Sequence, residues 1–194
     1  MTVAAGAGVV ADTETDTTRD TILATATDLV VSGGLTGFSM DELARRARVS
    51  KSSIYRRWSS RDDLIWDVCS QMRQLVADTD TGSLADDLTT LLSRLQEGLS
   101  SPRLSAIVIA VVDAAERDDD IAQLAAQVSR QGRQVLLRAI RRGIDRGELA
   151  PDTDPELVVE LLVGAVVYRR YFKRVGRSRQ EVETLVRTVT TALR

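Results

Sequence analysis

Histidine is absent from the 194 residues and there is a single cysteine, Cys69. Without an imidazole there is no histidine-based nucleophilic triad, no His-ligated zinc and no side chain that titrates by default near neutral pH. A lone thiol closes no internal disulfide, and with nothing arguing for export the expected location is cytoplasmic. Neither GxxxxGK[ST] nor GxGxxG occurs, so no glycine-rich loop is present to cradle a phosphate. No catalytic residue, metal site or cofactor is expected, and the chain does not read as an enzyme. Prolines number three and aromatic residues make up 4%. Ala, Leu, Val and Arg are plentiful instead, a balance that favours an all-α protein. No apolar run reaches the roughly 20 residues that span a bilayer; "AIVIAVV" stops at Asp113. A membrane is therefore not among the expected partners. The opening "MTVAAGAGVVADTETDT" has an apolar run, but no basic start, and acids follow it. Residues 1–16 are expected to be a flexible tail rather than a signal peptide.

What is present is charge in the wrong proportion over one short stretch. The chain holds 26 basic and 28 acidic side chains, a net charge of −2. From Arg45 to Arg61 there are seven basic residues and no acidic one, which leaves 19 basic against 28 acidic, or −9, in the remainder. Positive charge segregated in this way is a candidate contact surface for a polyanion.

Apolar periodicity and capping residues predict nine helices. The first runs from about Thr18 to Val31 and stops at Gly33-Gly34. Ser39 opens the second, with Glu42 placed to complete a capping box. After a turn at Arg48-Val49, Ser50 caps a short third helix from Lys51 to Trp58. Ser60 begins a fourth, running from Arg61 to about Thr79, with Leu64 and Ile65 facing the preceding helices and Met72 and Leu75 facing the rest of the chain. Helices are then expected over Ser83–Leu99, Leu104–Glu116 (apolar almost all round, hence buried), Ile121–Arg146, Pro155–Val175 and Ser178–Leu193. The last opens on a capping box of Ser178 and Glu181.

At 100° per residue, Ile54 and Trp58 share one face of the third helix, and Ser52 and Arg56 point directly away from it. Ser53 and Tyr55 flank that outer face. Arginine takes guanine O6 and N7 bidentately, a serine hydroxyl meets either base type, and Tyr55 can reach a phosphate oxygen. Lys51 and Arg57 lie nearer the core-facing edge and suit neighbouring phosphates, as do Ser39 and Arg48 at the two ends of the second helix. Two short helices joined by a tight turn, with charge on the outer face only, match helix-turn-helix chemistry.

Over about Thr17 to Val68, "TILATATDLVVSGGLTGFSMDELARRARVSKSSIYRRWSSRDDLIWDV" resembles the DNA-binding domain of the tetracycline-repressor (TetR) family of bacterial transcription regulators. The resemblance implies a three-helix head over residues 17–68 and a ligand-binding and dimerisation body over residues 69–194. It implies a homodimer through the last two helices, a double-stranded DNA operator and a small-molecule effector. By matching position, Ser39, Lys51, Ser52, Ser53, Tyr55 and Arg61 resemble the family's DNA-facing residues, and Ile54 and Trp58 its core. Arg48 departs from the pattern, because it stands in the turn where the family usually has glycine. If the turn needs a positive φ, an arginine costs about 1 kcal/mol there.

For the interface, Val158, Leu161, Leu162, Gly164, Ala165 and Tyr168 give one helix more apolar surface than one chain's core can use, and Gly164-Ala165 lets a partner helix approach. Val182, Leu185, Val186 and Val189 of the last helix complete the expected four-helix bundle. For the effector, Met72, Ile107 and Val111 are candidate apolar walls, with Asp113, Gln127, Gln131 and Gln134 as the nearest polar groups. The expected function is a sequence-specific transcriptional regulator, a ligand-responsive repressor on a near-palindromic operator. The alternative is a helical interaction module whose basic helix meets an acidic protein partner.

Overall fold

The computed structural model describes residues 7–71, 78–176 and 178–193, with side chains from residue 17 onward. Among the described residues it is all-helical. The nine helices are α1 (Ala7–Gly33), α2 (Met40–Ala47), α3 (Lys51–Tyr55), α4 (Arg61–Ser70), α5 (Leu84–Ser100), α6 (Pro102–Ala115), α7 (Asp119–Asp145), α8 (Pro155–Tyr168) and α9 (Arg179–Thr191). A π-helical turn, Arg169–Lys173, continues α8. No single helix is long and apolar enough to cross a membrane.

Most helix ends follow from local chemistry. Ser50, Ser83 and Ser178 each accept a hydrogen bond from a backbone N–H in the first turn of the helix they cap. At Ser178 the box is complete: Glu181 accepts from the Ser178 N–H at 2.8 Å while Ser178 Oγ accepts from Glu181 N–H at 3.2 Å. Pro155 stands in the first turn of α8 behind its cap Asp154, where a missing N–H costs nothing. Gly147 ends α7 with φ +73°, and Glu148 N–H closes back on the Gly143 carbonyl at 2.9 Å.

Several expectations are corrected. The Ser39 box does not form: Ser39 Oγ accepts from Asp41 N–H at 3.2 Å, and the Glu42 carboxylate turns instead to Arg45 and Arg46. A guanidinium three or four residues along a helix outcompetes a backbone N–H for a carboxylate. The described part of α4 is Arg61–Ser70, and Asp78 and Thr79 are not helical; residues 72–77, with Met72 and Leu75, lie outside the described residues. The helix α6 is not buried all round. Ser105, Ile107, Val111 and Ala114 are buried, whereas Ile109 and Val112 are more than half exposed. The α1 backbone begins at Ala7, earlier than Thr18, although its first buried side chain is Ile22.

The chain forms two compact units, one of residues 1–70 with 106–124, the other of residues 71–105 with 125–194. In the first, α1 packs on α2 and α4, and α2 packs on α3. Ile22, Ala26, Val30, Leu35, Leu43, Ile54, Leu64, Ile65 and Val68 form its core around α1, each at most 1% exposed. Truncating one such Leu or Ile to Ala costs about 2–5 kcal/mol. In the second unit α5 packs on α9 and α8, and α8 packs on α9. At Gly143 the backbone packs closely on α5: an added Cβ would lie 2.6 Å from Leu84 Cδ2.

Candidate nucleic-acid interface

The helix α3 has five residues, fewer than can hold a helix by themselves, so its neighbours must fix its orientation. Ile54 is fully buried and Trp58 is 4% exposed, and together they root α3 and the turn after it in the core. The α geometry ends at Tyr55, earlier than Trp58. Even so, Arg56 keeps helical dihedrals (φ −68°, ψ −22°) and its N–H bonds the Ser52 carbonyl at 3.0 Å. Ser52, Tyr55 and Arg56 are therefore all exposed, as the 100° spacing requires, with Ser53 half-buried beside them. Ser50 Oγ, which caps the helix, also bonds Ser52 Oγ at 2.8 Å and Ser53 Oγ at 2.9 Å. The two hydroxyls are thus held in place at the start of the exposed face.

The turn before α3 is a Schellman motif. Val49 N–H bonds the Ala44 carbonyl at 3.1 Å, and Arg48 N–H reaches Arg45 at 3.4 Å. The motif requires a left-handed residue, and Arg48 occupies it with φ 56° and ψ 40°. Gly34 and Gly147 fill positive-φ positions elsewhere without a Cβ penalty, whereas Arg48 accepts about 1 kcal/mol of strain and projects an exposed guanidinium from the turn.

The basic stretch is less free than its sequence implies, because two acids just outside it reach in. Glu42 Oε1 lies 2.6 Å from both Arg45 Nη2 and Arg46 Nε, and these guanidiniums lower its carboxyl to about 2. Asp41 pairs with Lys51, which holds that ammonium above its usual range. Arg57 Nη1 donates to the Ser53 carbonyl at 2.9 Å. Arg61 turns inward: Nη2 donates to the Leu35 carbonyl at 2.9 Å and its guanidinium lies 5.9 Å from the Phe38 ring centroid. Among the described residues, Arg48 and Arg56 remain as exposed cations of this stretch with no side-chain partner. They bracket α3. Ser39, at the start of α2, is exposed.

Two features of the head escaped the sequence reading. Ser60 begins α4 as expected, but its pairing with Asp63 is reciprocal, Ser60 N–H donating to Asp63 Oδ2 at 3.1 Å and Asp63 N–H to Ser60 Oγ at 3.0 Å. Asp67 of α4 accepts from both Trp58 Nε1, at 2.9 Å, and Arg19 Nη2, at 2.5 Å. A carboxylate one helical turn or more beyond the basic run gives no hint in the sequence that it faces back toward it.

The other candidate residues fall into different settings. Val158, Leu162, Val182 and Val186 are buried within their own unit, Ala165, Leu185 and Val189 are half-buried, and Leu161, Gly164 and Tyr168 are exposed. Leu157 and Phe172, not anticipated, extend that exposed set, and Tyr168 stacks on Phe172 with ring centroids 5.5 Å apart. Of the effector candidates, Ile107 and Val111 are buried in the first unit. Asp113 is exposed and paired with Arg117 at 2.7 Å. Gln127, Gln131 and Gln134 are exposed on α7. Met72 lies outside the described residues.

Residues 22–68 match the family model described as bacterial regulatory proteins, tetR family, and residues 78–189 match that of a tetracyclin repressor-like C-terminal domain. The chain is 30% identical over 154 residues to the uncharacterized HTH-type transcriptional regulator YdeS of Bacillus subtilis, spanning 78% of this chain and 77% of that protein. It is 28% identical over 158 residues to the DNA-binding transcriptional repressor TetR of Mycobacteroides abscessus, spanning 79% and 82% respectively. Among solved structures, the TetR family transcription regulator SCO0332 shares the fold, with a TM-score of 0.70 at 24% identity over 91% of this chain and 98% of that one.

Proposed function

Because the chain belongs to the tetR family of bacterial regulatory proteins, and is thus a DNA-binding transcriptional regulator, we propose that it reads a near-palindromic operator as a homodimer and releases it on binding a small molecule. The observation that carries the reading is the outer face of α3. Ser52, Tyr55 and Arg56 are exposed on a helix whose opposite side is rooted by Ile54 and Trp58. Arg56 has the free bidentate donor set that guanine O6 and N7 accept, and Ser52 lies on the same side. Arg48 and Lys51, with Arg57 behind them, are placed for phosphates; Lys51 must exchange Asp41 for a phosphate to do so. Arg61 and Ser39 act at the edge of this surface, Arg61 chiefly by holding the head together.

The surface offered to a second copy is the exposed line Leu157, Leu161, Gly164, Tyr168 and Phe172 on α8 and the π turn, at helical spacing. Five such positions in one stripe are an apolar patch of the kind that marks a protein interface. Two-fold symmetry of the dimer then imposes two-fold symmetry on the site. Residues 17–68 serve as the reading head, and the remainder serves effector binding and pairing.

The test is selection of bound sequences from random duplex DNA. The reading requires enrichment of one sequence with two inverted half-sites. Enrichment without symmetry contradicts the dimer, and no enrichment at salt concentrations where binding persists contradicts sequence reading altogether.

A further inference from the structure

We infer that Asp67, on α4, is a positioning residue for the reading helix. Its Oδ2 accepts from Trp58 Nε1 at 2.9 Å and from Arg19 Nη2 at 2.5 Å, and the Arg19 guanidinium carbon lies 5.5 Å from the centroid of the Trp58 ring. One carboxylate oxygen thereby joins α1, α4 and the turn that closes α3.

The need for such a pin comes from the length of α3. Its orientation rests on two buried anchors, Ile54 and Trp58. Dispersion contacts hold Ile54, and they change little when a side chain slides or turns slightly. Trp58 carries a single directional donor and no acceptor, so its partner fixes the rotation of the indole and with it the end of the helix. A carboxylate acceptor makes a stronger bond than a neutral one, and Arg19 keeps it from swinging away toward water. Arg56 lies two residues before Trp58, on the exposed face. Base-edge hydrogen bonds weaken steeply with small changes in angle, whereas a phosphate attracts a cation from many directions. Loss of the pin should therefore impair discrimination between sequences more than general affinity for duplex DNA.

The inference rests on α3 being the reading helix, and the experiment separates the two. Affinity is measured for the duplex that wild type selects and for a scrambled duplex of equal length, alongside thermal unfolding. Asp67→Ala is expected to lower affinity for the selected duplex about tenfold or more while changing the scrambled one by less than about twofold. Asp67→Asn keeps an acceptor for the indole and should restore most of the discrimination. Trp58→Phe, which deletes the donor and retains an aromatic ring in the core, should reproduce the loss, and adding Asp67→Ala to it should cause no further loss of discrimination. If Asp67→Ala fails to fold, Asp67→Asn and Trp58→Phe still carry the comparison. The role is overturned if Asp67→Ala or Trp58→Phe discriminates as wild type does. Equal losses on both duplexes, tracking thermal stability and not rescued by Asp67→Asn, also overturn it. A wild type that distinguishes no sequence overturns both the reading helix and this role.

Discussion

The reading head and the α8 face expose opposite chemistries. Around α3 the apolar side chains are inside and cations are outside, with Arg48 and Arg56 exposed and free of side-chain partners among the described residues. On α8 the apolar side chains face solvent as well as the core, since Leu157, Leu161, Tyr168 and Phe172 are each about half exposed or more. Several arginines of the second unit are instead turned onto carboxylates. Arg142 donates to the Thr79 carbonyl at 2.6 Å, and its guanidinium reaches Asp78 and, at 3.7 Å, the fully buried Asp87. Arg138 bonds Asp78 at 2.9 Å, and Arg146 bonds Glu148 at 2.7 Å. An arginine says little about a partner until its own partners are known. Those left free around α3 fit a polyanion, those bound up around Asp78 and Asp87 hold structure, and the apolar line on α8 fits a protein.

Substitutions can break this contrast at each point. The largest effect should come from Arg142→Ala, which takes the nearest guanidinium away from the buried carboxylate of Asp87. Removing one partner of a buried pair costs about 3–5 kcal/mol, and denaturant unfolding would register it. A loss under about 1 kcal/mol would place these arginines with ordinary surface pairs. Next is Leu161→Lys, which sets like charges against each other across the two-fold. Sedimentation should show at least a hundredfold weaker self-association, about 3 kcal/mol, with the monomer fold unchanged by circular dichroism. Self-association as strong as wild type would show that the exposed line on α8 is not where two copies meet.

Arg48→Gly should act in two directions. Relief of the left-handed strain raises stability by about 1 kcal/mol, while loss of a phosphate contact lowers the slope of log affinity against log salt by about one. Unchanged stability would mean that the turn accommodates arginine freely. The smallest effect belongs to Glu42→Gln, which frees Arg45 and Arg46 for DNA and should raise affinity for any duplex a few-fold, with little change in sequence preference. Because the two guanidiniums depress the Glu42 carboxyl to about 2, its pairs are present above the ordinary carboxylate pKa and are lost only as pH falls through that low value. The difference between Glu42→Gln and wild type should therefore persist unchanged down to pH 4.

The sequence made the helices legible for a physical reason, since their ends are fixed by residues within four positions of each other. Ser83, Pro155, Gly147 and the Ser178–Glu181 box all act at that range. The resemblance of residues 17–68 rests on the same local signals. What escaped depends on which neighbour wins a shared partner. Glu42 is spaced correctly for a capping box and equally well for two arginines, and the arginines take it. A window from Arg45 to Arg61 contains no acid, yet Asp41 pairs with Lys51 from ten residues away. Periodicity likewise shows that α8 is apolar on more than one side without stating which side is inward. Val158 and Leu162 therefore read like Leu161, although they have already found their burial within the chain. The same ambiguity hid the exposed side of α6.

Arg56 reading bases from the outer face of α3 in a symmetric dimer is the central claim, and repeating the duplex selection with Arg56→Ala tests both parts together. Wild type should return an inverted repeat. The variant should return the same repeat with preference lost at one or two positions in each half, at symmetric places, corresponding to about 1–3 kcal/mol per lost contact. A variant that selects the wild-type sequence unchanged, or loses preference in only one half, would contradict it.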